Sequence, residues 1–156
     1  MQSQRSRGAV CRYVGAMPGH DLKAVRRIYT AINRGDIDEL AADVAHDIEW
    51  SVPDFVPWGG TRHGPDGIRA FADLFQDHVE GNWADPDDFL EAEDRVVVLG
   101  RLRGRARATG QAFEVGFVHV WTLSDGAVSH LRAFYDTAPV LAALEGRPPP
   151  SPEPAI

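Results

Sequence analysis

The sequence predicts an α+β fold in which helices cover one face of a curved antiparallel sheet. Helical apolar patterns dominate the first half of the chain, while alternating patterns typical of strands fill residues 87–135. The chain has 156 residues, of which 44% are hydrophobic and 25% charged, as expected for one globular domain. We expect this domain to span residues 20–145, between a loose N-terminal tail (1–19) and a proline-rich C-terminal tail (146–156).

The first two helices follow each other directly. The segment D-L-K-A-V-R-R-I-Y-T-A-I-N-R-G-D predicts an amphipathic helix with Asp21 as its N-cap and Gly35 as its end. Asp36 is then expected to cap a shorter helix over residues 37–44. The buried stripe of the first helix is predicted to contain Leu22, Val25, Ile28, Tyr29 and Ile32.

A half-buried strand is predicted over Asp47–Pro53, because apolar and polar residues alternate there. The loop that follows reads D-F-V-P-W-G-G-T-R-H-G, and we expect its aromatic residues Phe55 and Trp58 to close over something apolar. Gly64 and Pro65 open the next helix. Its buried stripe is predicted to contain Ile68, Phe71, Ala72, Phe75 and Val79.

The second half of the chain predicts antiparallel strands and a short final helix capped by Asp136. The strands are expected over residues 87–93, 95–108, 112–123 and 128–135, and the helix over 137–144. In the hairpin formed by the last two strands, His119 shares a face with Phe117 and Trp121. A lone polar group among apolar ones is a candidate catalytic or ligand-orienting residue.

Charge and motifs restrict the partners. A net charge of −7 argues against nucleic acid, and no apolar run approaches the ~20 residues that cross a membrane, so we expect a cytoplasmic protein. The six histidines show no metal-binding spacing, and no glycine-rich nucleotide motif is present, so neither metal nor cofactor is expected.

Four arginines, Arg101, Arg103, Arg105 and Arg107, alternate along one predicted strand. They would share one face of the sheet. The pattern fits a solvated sheet face, where charge discourages aggregation, or a site for an anionic ligand.

The order of these elements, with the motifs I-Y-T-A-I-N-R-G-D-I-D-E-L, D-I-E-W-S-V-P, G-G-T-R-H-G-P-D-G-I-R-A-F and V-W-T-L-S-D-G-A-V, resembles the SnoaL-like group. That group belongs to the superfamily of nuclear transport factor 2 and ketosteroid isomerase. The resemblance covers about residues 21–144 and implies a cone-shaped α+β barrel, commonly a homodimer, with a deep apolar cavity.

The family's catalytic residues match this chain poorly. In the ketosteroid isomerases, a tyrosine matches Ile28, a general-base aspartate matches Val52 and an aspartic acid in the sheet matches His119. Polyketide cyclases of the SnoaL type share the histidine but place an acid/base aspartate at Ala133. The resemblance therefore implies that the cavity is kept and that the known acid/base groups are lost.

Three polar residues remain candidates for catalysis. His119 could act as a base or a hydrogen-bond donor, or it could be a satisfied core histidine. Asp54 follows the predicted strand and could take a proton in an apolar mouth, or merely cap a turn. Tyr135 could donate its hydroxyl to a ligand carbonyl, or serve as a plain wall residue. The candidate ligand-binding residues are Ile28, Trp50, Val52, Trp58, Phe75, Phe117, Trp121 and Ala133.

Two main hypotheses follow, with a small apolar molecule as the partner in both. The protein is a cofactor-independent isomerase, cyclase or hydrolase that uses His119 and Asp54 as an acid/base pair, with Tyr135 orienting a carbonyl. Alternatively, it is a non-catalytic binding or accessory protein that has kept the cavity. A third hypothesis is that the outer sheet face assembles with another protein.

Overall fold

The computed structural model describes residues 19–151, and its elements confirm the predicted α+β class. In chain order they are α1 (His20–Arg34), α2 (Ile37–Ala42), β1 (Val44–Val52), β2 (Gly60–His63), α3 (Gly64–His78), β3 (Val79–Ala92), β4 (Arg95–Ala106), β5 (Ala112–Ser124), β6 (Ala127–Tyr135) and α4 (Thr137–Glu145).

The two predicted tails lie largely outside this description. Only residue 19 of the N-terminal tail and residues 146–151 of the C-terminal tail are described, and 147–151 have no regular secondary structure. Within residues 19–151, no helix is long and apolar enough to cross a membrane.

The six strands form one curved, unclosed sheet in the order β2-β1-β6-β5-β4-β3. Neighbouring strands run antiparallel except β1 and β6, which run parallel. The parallel pair was not predicted, because strands so far apart in the chain reveal their pairing only in the folded molecule. Helices α1 and α3 pack against the sheet with their predicted apolar stripes turned inward, except that Val79, predicted in the stripe of α3, is the first residue of β3.

Two strand assignments differ substantially from the prediction, and β1 begins at Val44 rather than at Asp47. Strand β3 begins at Val79, directly after α3, whereas the sequence predicted residues 87–93. The part that was not predicted, residues 79–86, contains Gly81, Asn82, Asp85 and Pro86, which have low β-propensity, and pairing with β4 overrides that preference. The four residues of β2 were predicted as loop, because so short a segment shows no alternation.

The helix caps confirm two of three predictions. The Asp36 carboxylate accepts a hydrogen bond from the backbone N–H of Glu39 at 2.9 Å, and Asp136 accepts one from Ala138 at 3.2 Å. The prediction for α1 is wrong: Gly19 is the N-cap, and Asp21 lies buried in the first turn. Helix α2 ends at Ala42 because the chain enters β1 two residues later.

One side chain, Asn33, forms hydrogen bonds that join helix α1 to the edge strand β3. The Asn33 amide donates to the carbonyl oxygen of Ala84 at 2.8 Å and accepts from its backbone N–H at 2.9 Å. The amide thereby satisfies strand-edge groups that would otherwise lack a partner. This contact holds α1 over one side of the cavity described below.

The alternating arginines lie on one exposed face of β4 and just beyond it, as predicted. Arg101 pairs with Glu114 at 2.7 Å and Arg107 with Glu80 at 3.1 Å, while Arg105 donates to the backbone of Gly110. Two of the four charges are therefore paired with carboxylates, and a third arginine is hydrogen-bonded to the backbone. That favours a solvated sheet face over a site for anions.

Gly100 is a packing requirement of the sheet. A Cβ atom there would lie 2.4 Å from the carbonyl oxygen of Asp85 and 2.6 Å from Cζ of Phe117. We expect Gly100→Ala to lower the free energy of unfolding by about 1–3 kcal/mol, as overpacking does. The control is Gly116→Ala, because the nearest atom to a Cβ there is 3.9 Å away. Urea denaturation that gave both variants the same stability would contradict this account.

Candidate functional site

A cavity of about 340 Å³ lies between the inner face of the sheet and the helices. Of the eight residues predicted to bind a ligand, six line it. These six are Trp50, Val52, Trp58, Phe75, Trp121 and Ala133. Ile28 and Phe117 instead lie behind the wall, in the hydrophobic core. The cavity wall is therefore mainly aromatic and apolar.

His119 lines the cavity at the end of a buried hydrogen-bond chain. Its Nδ1 lies 2.7 Å from the hydroxyl of Tyr29, and that hydroxyl accepts a hydrogen bond from the indole Nε1 of Trp121 at 3.1 Å. Tyr29 lies on α1 and the other two residues on β5, so the chain joins helix to sheet. The imidazole also stacks on Phe117, with 4.1 Å between ring centroids.

Burial keeps the imidazole neutral. Because the rings of Tyr29, Phe117 and Trp121 pack against it, a proton on the imidazole would be poorly solvated, and the pKa of His119 falls to about 3. The Nε2 atom has no protein partner among residues 19–151 and remains accessible. His119 thus presents an uncharged, hydrogen-bonding edge to the cavity.

Tyr135 provides a second polar group on the cavity wall. His119 pairs with Ala133, and Tyr135 with Phe117, so Tyr135 is diagonal to His119 on the neighbouring strand. The Tyr135 hydroxyl oxygen accepts a hydrogen bond from the indole Nε1 of Trp58 at 3.0 Å. Burial raises the pKa of Tyr135 to about 12 and outweighs the opposing effect of that bond, so the hydroxyl keeps its proton.

The loop after β1 brings Trp58 inward and leaves Asp54 outside. Trp58 is buried against the cavity, whereas Asp54 and Phe55 are exposed, Phe55 by 76%. The loop doubles back on itself so closely that a Cβ at Gly59 would lie 2.2 Å from the carbonyl oxygen of Pro53. The predicted acid/base pair of His119 and Asp54 is therefore not brought together in this conformation.

The rim of the cavity is polar but nearly uncharged. Asn33, Gln76 and Asn82 contribute amides, and Arg34 contributes a guanidinium that lies 3.6 Å from Glu39. In the part of the chain that the structure describes, no aspartate or glutamate lines the cavity. The arrangement can hold a neutral or anionic polar group but offers no carboxylate to accept a proton.

The described residues also hold no evident metal centre. Between residues 19 and 151, no group of three or more His, Cys, Asp or Glu side chains could bind a metal ion. Trp50, on the cavity wall, carries a buried indole nitrogen that has no protein partner among residues 19–151.

Tyr29 is the functional candidate that sequence reasoning missed. The apolar periodicity of α1 predicts only that Tyr29 is a stripe residue, although it adjoins Ile28, the position that the family resemblance matches to the isomerase tyrosine. A hydroxyl on the buried stripe of a helix is the signal that could have found it, because a buried hydroxyl needs a hydrogen-bond partner.

Comparisons with known proteins agree with this architecture. The family model described as the SnoaL-like domain matches residues 25–131. An uncharacterised protein from Mycobacterium tuberculosis is 30% identical over 117 residues, which cover 74% of this chain and 88% of the relative.

Two solved structures are similar over most of the chain. An NTF2-like (nuclear transport factor 2-like) protein of unknown function from Burkholderia pseudomallei shares 34% identity with a TM-score of 0.76, over 80% of this chain and 97% of that one. TerC, co-crystallised with polyporic acid, shares 28% identity with a TM-score of 0.76, over 81% and 98% of the two chains.

The lowered pKa of His119 predicts a pH dependence of stability. As the pH falls from 7 to 5, residue 119 takes up a proton in the unfolded chain but not in the folded one, so acid favours unfolding. We expect the titration of residue 119 to lower the free energy of unfolding of the wild type by about 2 kcal/mol between pH 7 and pH 5. In His119→Gln, the free energy of unfolding measured by urea denaturation should fall by correspondingly less between the two pH values. Equal losses would show that the folded imidazole is protonated.

Proposed function

The chain is a member of the SnoaL-like family, and on that premise we propose that it binds a small apolar or polycyclic molecule in the cavity. His119 and Tyr135 hold a polar group of that molecule. One observation carries the proposal: two neutral hydrogen-bonding groups interrupt a wall that is otherwise mainly aromatic and apolar. Such a combination is typical of small-molecule sites. We expect the protein to act in the cytoplasm.

The size and charge of the cavity restrict the ligand. A volume of about 340 Å³ suits a small organic molecule. Aromatic rings such as those of Trp50 and Trp121, which pack edge to face, offer surfaces for a flat ring system. A cationic ligand would lose its hydration without gaining a carboxylate partner. The polyporic acid in the TerC structure supports an organic molecule as occupant.

The more specific form of this proposal is that the protein is a cofactor-independent isomerase, cyclase or hydrolase. His119 and Tyr135 would stabilise negative charge that develops on a substrate oxygen. Asp54 would accept a proton only if the turn after β1 moved it to the cavity. Binding without catalysis is the second candidate, and the absence of a lining carboxylate among the described residues favours it.

Ligand binding is tested by thermal shift with polyporic acid, polycyclic ketones, terpenoid epoxides and aromatic acids. A ligand at ~100 times its Kd should stabilise the protein by about 2.7 kcal/mol, a shift of several degrees. Because a hydrogen bond contributes modestly, Tyr135→Phe and His119→Phe should each weaken a hit by about two- to tenfold. The control Phe55→Ala removes an exposed ring outside the cavity and should bind normally.

The same incubations separate the two forms of the proposal. Mass spectrometry of each hit should reveal a product if the protein is an enzyme and unchanged ligand if it only binds. If the cavity variants bound every hit as tightly as the wild type does, the cavity would not be the binding site.

We also propose that the protein forms a homodimer through the outer face of the sheet. Leu99, Val118 and Phe134 are cross-strand neighbours on β4, β5 and β6, and each is more than a third exposed. Contiguous exposed apolar side chains are typical of interfaces. The edge of this patch carries Asp88 and the Arg101–Glu114 ion pair, so a two-fold related copy can set unlike charges against each other.

The dimer predicts that Val118→Glu yields a monomer in light scattering coupled to size-exclusion chromatography. A carboxylate at the centre of the patch would be buried without a partner in the dimer. Ala112→Glu is the matched control, since Ala112 is exposed on the same strand beyond the patch. A monomeric wild type at high concentration would rule the dimer out.

A further inference from the structure

We infer that Tyr29 is a positioning residue that holds His119 in the tautomer with its proton on Nε2, so that His119 presents an N–H donor to the cavity. The identity of the ligand rests on the proposed function. The tautomer itself is a property of the protein without ligand.

The tautomer follows from the hydrogen bonds of the Tyr29 oxygen. An indole N–H can only donate, so the Trp121 contact at 3.1 Å uses one lone pair of the Tyr29 oxygen. The Tyr29 hydroxyl then has one proton to place, and Tyr29 is only 3% exposed. Among residues 19–151, the acceptor within hydrogen-bonding distance is Nδ1 of His119, at 2.7 Å.

The opposite arrangement is disfavoured. If Nδ1 of His119 carried the proton and donated to Tyr29, the hydroxyl proton of Tyr29 would be buried with no acceptor among the described residues. A neutral imidazole has one N–H, so when Nδ1 accepts, the proton lies on Nε2. Trp121 and Tyr29 together therefore decide which ring nitrogen is protonated.

Tyr135, on the neighbouring strand, likewise has a hydroxyl oxygen that accepts from an indole N–H. Its oxygen accepts from Trp58, and the described residues provide no acceptor for its hydroxyl proton. His119 and Tyr135 thus each turn a donor toward the ligand, from diagonal positions of the sheet that are about 7 Å apart. This geometry points to a ligand with acceptor oxygens, such as carbonyl, enolate or phenolate groups. A ligand N–H at His119 would meet another donor.

The tautomer is read by long-range 1H–15N correlation NMR of uniformly labelled protein at neutral pH. In the wild type, we expect a single pattern for His119 with Nε2 protonated and Nδ1 shifted by its hydrogen bond. In Tyr29→Phe, the Nδ1 resonance should move toward that of a nitrogen without a hydrogen bond, and a population protonated on Nδ1 should appear. Tyr135→Phe is the matched control and should leave the His119 signals in place.

A wild-type spectrum with Nδ1 protonated would overturn the inference, and so would signals that do not move in Tyr29→Phe. The wild-type spectrum decides the tautomer even if that variant does not fold. Because no ligand is present, a failed ligand screen leaves the NMR result intact, and the two proposals can fail separately.

Discussion

The buried hydroxyl of Tyr29 is the constraint on which the rest of the site depends. It lies in an aromatic core and Tyr29 is only 3% exposed, so an unsatisfied hydroxyl there would cost roughly 1–3 kcal/mol. The indole of Trp121 and the imidazole of His119 satisfy it from one strand. This requirement fixes helix α1 against the sheet, and it gives the cavity an uncharged histidine.

The cavity wall is apolar at two positions where, by the family resemblance, related enzymes carry acid/base residues. Val52 and Ala133, which match catalytic aspartates in related enzymes, extend the apolar wall, while Ile28 lies in the core behind it. What remains at the wall is hydrogen bonding by neutral groups, His119 and Tyr135. Neutral groups can bind and polarise an oxygen without moving a proton.

The loop after β1 shows how backbone geometry selects which side chains reach the ligand. Its tight closure at Gly59, together with the Arg62 guanidinium that donates to the carbonyl oxygens of Trp58 and Gly59, turns the indole inward. The same closure leaves Asp54 in solvent. Trp58 then contributes twice, because it covers the cavity and its N–H occupies the oxygen of Tyr135. Trp58, which covers the cavity, thus also sets the direction of the hydrogen bond at the Tyr135 hydroxyl.

Four features could be predicted from the amino-acid sequence alone: the α+β class, the helices α1 and α3, the hairpin of β5 and β6, and the inward face of His119. These features follow from apolar periodicity within a short segment. Tertiary structure alone decided the first half of β3, the strand β2, the parallel pairing of β1 with β6 and the position of Asp54. It also decided that Tyr29 meets His119, which lies 90 residues further along the chain. Such contacts depend on how distant segments pack, and local periodicity carries no record of that packing.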